Sequence, residues 1–588
     1  YFCSPKDGAE KLAAELFSIF ERGPEELSFW EAVHLMDLPM MKNHREKAME
    51  SLALDVRVRE AGDYCETWGK YDKAEEIYEK ALTFAEERDR KLANEDSQRI
   101  IAYYLKRKSD IMFTRGKIAQ SVELEEKSFS IVQDIAEKNP TDKNQGNLAA
   151  SYGRMGNRLE VQGKLDSAME MYQKSLEIHE KLCAKLGTAE WQRALAVSYG
   201  DVGNILESQG DLSGAIEMYQ KNLAILEKLD AELSTLQSRR DLAVSYDLVG
   251  RIRQKQGNFT SALETYRKSL AICEKLSLEL GTPQSRRDLA VSYNLVGDIL
   301  QEQGNFTDAL EMFRKSLAIR EKLSLELDTP QSWRDLSASY DRVGGILREQ
   351  GNFTGAMKMY RKSLAIHEKL SLELGTPQSQ RDLSVSYDHV GEILQEQRDF
   401  TGALGMFRKS LAIDEKLSLE LGTPQSRRDL AVSYRRVGDI LRAQRDFTGA
   451  LEMYQESLAI CEKLSLELGT PQSRRDLAMS YRRVGDILLT HRNFTGTLKM
   501  YRKDLAICES LSLELGTPSA YRDVMIACTN NAFILSEQEE YEEALLFAKR
   551  ALTIGEALAA QLDTDDARRE AEAMRNNLKI VEAYCKKS

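Results

Sequence analysis

The sequence predicts an all-α solenoid of about eleven antiparallel helix pairs. A motif of the form Gly-x-Phe-Thr-x-Ala-Leu returns every 47 residues without insertion or deletion. Its anchor residues are Tyr71, Ile118, Leu165, Leu212, Phe259, Phe306, Phe353, Phe400, Phe447, Phe494 and Tyr541. Apolar residues follow helical spacing in both halves of each repeat, and no stretch alternates with the period of a strand. A fixed period of about 20–50 residues is typical of solenoids, in which each unit buries its apolar face against its neighbours.

The first helix of a repeat is clear in the unit that begins at Phe259. Apolar residues recur at helical spacing from Thr260 to about Leu280, which predicts one helix. Gly281 follows as a stop, because glycine adopts the left-handed conformation that often ends a helix. Thr282 and Pro283 then begin the second helix, as the N-cap oxygen and as a first-turn residue that needs no N–H donor.

The second helix runs to about Gln303 and carries a glycine inside its apolar stripe. Gly297 costs about 1 kcal/mol relative to alanine in a helix, so we expect the partner helix to cross too closely there for a Cβ atom. Glycine recurs at the matching places Gly156, Gly203, Gly250, Gly344, Gly391, Gly438 and Gly485. Ala309 is expected to make the corresponding close contact on the following first helix.

Apolar, glycine and small residues recur in a fixed order: Tyr293, Val296, Gly297, Leu300, Gly304, Ala309, Phe313 and Ser316. This order resembles the tetratricopeptide repeat, with tyrosine in place of the leading tryptophan. The family's closing proline would fall at Glu321, where the helix instead continues and lengthens the usual repeat of about 34 residues to 47. The longer unit is similar to the repeats of kinesin light chains and of many bacterial signalling proteins. The resemblance implies a right-handed superhelix whose concave groove holds ligands.

The second repeat and the two ends depart from the pattern. Ser109, Ser121 and Glu125 occupy the glycine, alanine and aromatic places, so we expect looser packing in that repeat. Residues 1–50 do not fit the period and are predicted to form a helical cap or the tail of an upstream domain. Residues 51–564 form the predicted solenoid, and residues 565–588 a polar capping helix that solvates its end.

Composition narrows the choice of partner and compartment. The net charge is −12 and the pI about 5.4, which argues against a general nucleic-acid or anionic-membrane binder. No apolar run approaches the roughly 18–20 residues that a membrane span requires. The eight cysteines form no CxxC pair, and we therefore expect a reducing cytoplasm.

Catalytic and cofactor signatures do not occur in the sequence. It contains no Gly-x4-Gly-Lys-Ser/Thr loop, no His-Glu-x-x-His and no Gly-x-Ser-x-Gly. One column of the first helices reads His179, Leu226, Cys273, Arg320, His367, Asp414, Cys461 and Cys508. Its members are about one repeat apart, which does not favour a metal site. We therefore predict that the chain is not an enzyme and binds no cofactor and no metal.

The most variable positions of the nearly identical repeats form a stripe on the second helix, beside its core stripe. In the tetratricopeptide family this face lines the concave groove, and the resemblance implies that partner-binding residues lie there. The candidates are Asp341, Arg348, Asp388, Glu392, Arg435, Asp439, Arg442, Arg482 and Asp486. Arginines at 435, 442 and 482 could hold acidic side chains or a carboxylate in a bidentate fork. Alternatively, Arg435 with Asp439 and Arg482 with Asp486 are ordinary i, i+4 surface pairs.

Three functions remain open from the sequence. The chain is a scaffold or sensor that holds a partner protein or peptide in its groove. Alternatively, it is the sensor or regulatory arm of a larger bacterial signalling or defence complex whose catalytic part lies elsewhere. The third is a solenoid that assembles with its own copy, which leaves a homo-oligomer open.

Overall fold

A computed structural model describes residues 59, 62, 63, 65, 66, 71–562 and 564–585. Within these residues the chain is all α-helix and short turns, without a strand. None of the helices described there has a stretch long and apolar enough to cross a bilayer. The cap or tail predicted for residues 1–50 lies outside the described residues.

The helices keep the 47-residue register along the chain. They are α1 Tyr71–Leu92, α2 Glu95–Thr114, α3 Ile118–Lys138, α4 Asp142–Val161, α5 Leu165–Leu186, α6 Ala189–Ser208, α7 Leu212–Leu233, α8 Leu236–Lys255, α9 Phe259–Leu280, α10 Pro283–Glu302, α11 Phe306–Leu327, α12 Pro330–Glu349, α13 Phe353–Leu374, α14 Pro377–Glu396, α15 Phe400–Leu421, α16 Pro424–Ala443, α17 Phe447–Leu468, α18 Pro471–Thr490, α19 Phe494–Leu515, α20 Pro518–Glu537, α21 Tyr541–Leu562 and α22 Asp565–Cys585. Every odd-numbered helix begins at a predicted anchor residue. The predicted solenoid of eleven helix pairs is confirmed as an all-α, repeat-by-repeat architecture.

The predicted stops and caps bound α9 and α10. Gly281 ends α9 in the left-handed region, with φ of 59°. The hydroxyl of Thr282 accepts a hydrogen bond from the Ser285 backbone N–H at 3.2 Å, and Pro283 follows in the first turn. Gly304 has φ of 74° in the turn after α10. Local sequence therefore determines where these two helices begin and end.

The chain forms two compact units that divide between Ser379 and Gln380, inside α14. In the first unit, consecutive helices from α1 to α13 pack against one another. In the second unit, α15 to α22 pack in the same consecutive way. Each unit is thus a run of antiparallel helix hairpins.

The glycines of the second helices receive an aromatic ring from the following first helix. A Cβ built on Gly297 would lie 2.6 Å from Cε1 of Phe313, and one on Gly438 would lie 2.7 Å from Cε1 of Tyr454. The predicted clash of a Cβ with the partner helix is therefore present. The atoms that a Cβ would meet first belong to a buried aromatic ring of that helix. Ala309 is fully buried, as expected for a close helix contact.

The second repeat replaces this contact with a polar one. Ser109, Ser121 and Glu125 are all fully buried. Each serine hydroxyl donates to the backbone carbonyl of the other serine at 2.8 Å. Nε of Arg154 donates to the Glu125 carboxylate at 3.0 Å. Hydrogen bonds thus join the side chains that replace the glycine, alanine and ring, while a cavity of about 380 Å³ lies between α2, α3 and α4 of this repeat.

A series of ion pairs links successive second helices, and most of its members belong to a repeated Arg-Asp dipeptide. In each step the arginine reaches the acidic residue 48 positions further along, at 2.5–3.0 Å. The first unit contains Arg193–Asp241, Arg240–Asp288 and Arg287–Asp335. The second contains Arg381–Asp429, Arg428–Asp476, Arg475–Asp523 and Arg522–Glu570. Each exposed pair stabilises by at most about 1 kcal/mol.

Candidate functional site

The predicted partner-binding residues all lie on α12, α14, α16 and α18, on what we call the second-helix stripe. This stripe consists of Asn294, Asp298 and Gln301 of α10 and of the matching positions of the other second helices. Most of the nine candidates are half-buried, which leaves part of each side chain in contact with solvent. The α12 candidates Asp341 and Arg348 belong to this half-buried group.

Asp388 and Glu392 on α14 are brought together by Arg436 of the next second helix. The Arg436 guanidinium forms an ion pair with Asp388 and lies 3.0 Å from Glu392. Asp388 is buried, and burial raises its pKa to about 6 although Arg436 opposes the shift. This acidic cluster is therefore partly neutralised within the protein.

Asp439, Arg442 and Asp486 form the corresponding links between α16 and α18. Asp439 accepts a hydrogen bond from the Tyr454 hydroxyl at 2.6 Å and lies 3.6 Å from Nη1 of Arg483. Nη1 of Arg442 lies 3.8 Å from the Asp486 carboxylate. The distance between Arg442 and Asp486 is at the limit of an ion pair. The Arg442 guanidinium therefore retains N–H donors for another group.

Arg435 is held by a sulfur contact. Its Nη1 lies 3.0 Å from the thioether of Met479, and burial lowers the pKa of the guanidinium. A thioether is only a weak acceptor. Arg435 therefore keeps most of its capacity to bind a carboxylate.

Arg482 has a strong internal partner, unlike Arg435 and Arg442. Its Nε and Nη2 donate to the two oxygens of Asp504 at 2.9 and 3.2 Å. Asp504 is fully buried, at a place where the other first helices carry a small side chain such as Ser410 or Ser457. The i, i+4 pair with Asp486 is thus replaced by a pair with a different helix, and the arginine compensates a buried charge.

The column of histidine, cysteine and charged side chains on the first helices lies inside the hairpins. Nδ1 of His179 lies 2.7 Å from the hydroxyl of Ser198, and the Ser292 hydroxyl donates to the Cys273 sulfur at 3.2 Å. Burial lowers the pKa of His179 and raises that of Cys273 to about 11. In the described part of the chain, no three histidine, cysteine or acidic side chains are grouped as a metal site requires.

A basic cavity of about 380 Å³ between α2, α3 and α4 was missed by the sequence reasoning. Its lining contains four cations and no acidic residue: Arg59, Arg99, Lys106 and Arg154. The buried Asn144 accepts from Arg99 at 2.6 Å and fixes its position. Arg99 forms ion pairs with Glu95 and Asp96, and Arg154 forms one with the buried Glu125, so neighbouring acids compensate part of this charge. The sequence prediction missed this cavity because it interpreted the departures of the second repeat only as looser packing.

Comparison with known families agrees with the repeat structure. Models of the tetratricopeptide repeat match residues 245–322 and 288–369, residues 148–184, 195–229 and 430–465, and residues 60–88. No protein among those with curated functions matches the chain.

Several solved structures are similar to parts of this chain. BtubC (BKLC) from P. vanneervenii is 20% identical over 43% of this chain and 92% of its own, with a TM-score of 0.36. Yeast Tom70 is 15% identical over 90% of this chain and 96% of its own, with a TM-score of 0.38. The signal-transduction ATPase PH0952 from Pyrococcus horikoshii, which has a tetratricopeptide repeat sensor, is 12% identical over 83% and 73%, with a TM-score of 0.41.

Proposed function

This chain belongs to the tetratricopeptide-repeat family, and on that premise we propose that it is a non-enzymatic scaffold or sensor that holds a partner protein or peptide along its second-helix stripe. One observation carries the proposal. Framework residues are nearly identical from Phe259 to Gly516, whereas the stripe changes from repeat to repeat. A constant framework with a variable surface suits recognition, because a rigid surface lowers the entropy cost of binding.

The basic places on the stripe favour a partner with acidic side chains. Arg435 and Arg442 have only weak internal partners, at 3.0 Å to a thioether and 3.8 Å to a carboxylate. Guanidinium groups bind carboxylates with two parallel hydrogen bonds. Arg482 is left out of this set because it compensates Asp504.

Affinity capture with charge-reversed variants tests this function. The chain would be used as bait in extract of its native host, and captured proteins identified by mass spectrometry. Arg435→Glu with Arg442→Glu should remove most of a genuine partner, since both substitutions repel its acidic groups. Arg408→Glu is the matched control, because Arg408 is an exposed arginine on a first helix of the same repeat. Equal capture by the three proteins would rule out the stripe as the binding surface.

Self-assembly is a second candidate, favoured by an exposed leucine column on the first helices. The column comprises Leu278, Leu325, Leu372, Leu419, Leu466 and Leu513, each 76–89% exposed. Leucines this exposed at one position of each repeat could pair with the same column of a second copy. Light scattering at two concentrations would detect the complex, and Leu419→Ser with Leu466→Ser should dissociate it. A mass that stays monomeric at both concentrations excludes this candidate.

We also propose a reducing cytoplasm as the compartment of this chain. The described cysteines are free thiols: Cys65, Cys183, Cys273, Cys461, Cys508, Cys528 and Cys585. Burial raises the pKa of Cys528 to about 11, which keeps it a protonated thiol and a poor nucleophile. Inert buried thiols suit small core residues in a compartment without disulfide formation.

A further inference from the structure

The second-helix stripe changes from charged to apolar side chains at α20 and α22, where the second unit contains a cavity of about 410 Å³. Helix α22 keeps the repeat register, since Asp565 lies 47 residues after Pro518. Its position is therefore that of a further second helix, and not only that of a polar cap. The lining residues that bear most on its chemistry are Thr529, Asn530, Phe533, Asn577, Ile580 and Tyr584.

The cavity opens because the charged links of the stripe end there. Asp439 and Asp486 occupy one column of the stripe and pair with arginines of neighbouring second helices. The same column continues as Phe533 and Ile580. Neither side chain can form an ion pair, so the space that charged groups bridge elsewhere is left between α20 and α22.

Large apolar side chains face this space without being buried by the protein. Phe533 is 50% exposed, Ile580 is 55% exposed and Tyr584 is 49% exposed. Met574 and Val581 extend the apolar lining. Exposed apolar side chains that converge on one concave site are typical of ligand sites and not of scattered surface residues.

The polar groups of the lining restrict the ligand's charge. The lining contains no cation, and its single acid, Glu537, is exposed to solvent. The hydroxyls of Thr529 and Ser536 donate to backbone carbonyls of their own helix at 2.9 and 2.8 Å. Asn530 and Asn577 lie in one column of successive second helices and supply amides that can orient a polar substituent.

We propose that this cavity binds an uncharged, mainly apolar small molecule of one or two aromatic rings. A volume of about 410 Å³ falls in the range of small-molecule sites. Phe533 and Tyr584 provide aromatic surface, and the two asparagine amides fix the ligand's orientation. The proposal is independent of partner binding along the arginine part of the stripe.

Fluorescence titration of the full chain with the neutral dye N-phenyl-1-naphthylamine tests the proposal. The expected result is a saturable increase of emission with one dye per chain. Phe533→Asp should weaken binding at least tenfold, because it places a charge in the apolar cavity. This substitution restores the residue type that Asp439 and Asp486 show in the same column, so the fold should be retained.

Two further variants make the outcome decisive. Ile580→Asn should weaken dye binding in the same way from the opposite helix. Leu546→Ser is the matched control, because Leu546 is 65% exposed but does not line the cavity, and it should bind the dye as the parent does. No saturable signal from the parent chain, or equal affinity in all four proteins, would overturn the proposal.

Discussion

Arg482 holds the fully buried carboxylate of Asp504 through two hydrogen bonds, from Nε at 2.9 Å and from Nη2 at 3.2 Å. Most other first helices have serine or asparagine here, as in Ser457, and the first and last copies have alanine. Asp504 and Arg482 are therefore a pair that occurs in one repeat and acts together. A buried charge without its partner is strongly destabilising.

Arg482→Ala should lower the free energy of unfolding by about 3–5 kcal/mol, because Asp504 then remains buried and uncompensated. Urea denaturation followed by circular dichroism measures the change. Adding Asp504→Ser should restore most of the loss, since serine occupies this place in other repeats. If the double variant is no more stable than Arg482→Ala, the arginine has another structural role.

Two adjacent glycines of α12 should respond in opposite directions to alanine. A Cβ on Gly344 would lie 2.9 Å from Cε1 of Tyr360, whereas one on Gly345 would lie 3.7 Å from the nearest heavy atom, the Tyr360 oxygen. Gly345→Ala should stabilise by about 1 kcal/mol through helix propensity. Gly344→Ala should destabilise, since overpacking costs about 1–3 kcal/mol. Thermal unfolding of both variants gives the sign of each change in stability. Equal shifts of the melting temperature would contradict the contact between Gly344 and the Tyr360 ring.

Ala309→Trp should overpack the contact between α10 and α11. Ala309 is fully buried, so we expect a loss of about 1–3 kcal/mol or more. Ala318→Trp on the same helix is the control, because Ala318 is exposed and should tolerate the ring. Differential scanning calorimetry compares the two. An unchanged melting temperature for Ala309→Trp would show that this contact is placed wrongly.

Asp247 should make stability fall as pH rises. Burial raises its pKa to about 7, with the neighbouring Asp288 adding to the shift and Arg251 opposing it. Between pH 4 and pH 7 the folded state then holds a proton that the unfolded state has lost, so stability falls by about 1.4 kcal/mol per pH unit at most. Asp247→Asn should flatten this part of the curve and be the more stable protein at pH 8. Urea titrations of both proteins at pH 4, 6 and 8 measure the free energy of unfolding. If the two proteins show the same dependence on pH, Asp247 is not the group responsible.

The candidate residues show how far sequence reasoning reaches at the surface. Repeat comparison identified the variable columns that contain Arg435, Arg442 and Arg482 without any coordinates. It could not separate Arg482 from the others, because its partner Asp504 lies 22 residues away on another helix. Comparison of columns could have found the apolar end of the stripe, since Phe533 occupies the column of Asp439 and Asp486.

Helix type, length and repeat register follow from local order along the chain. The apolar periodicity and the turn residues Gly281, Thr282 and Pro283 act on their immediate neighbours in the chain. These features can therefore be predicted without knowledge of the tertiary packing. Three features arise differently. They are the ring that packs on each helical glycine, the acid that each arginine compensates, and the cavity between α20 and α22. They depend on distances between side chains on separate helices, and packing sets those distances only after the hairpins have stacked.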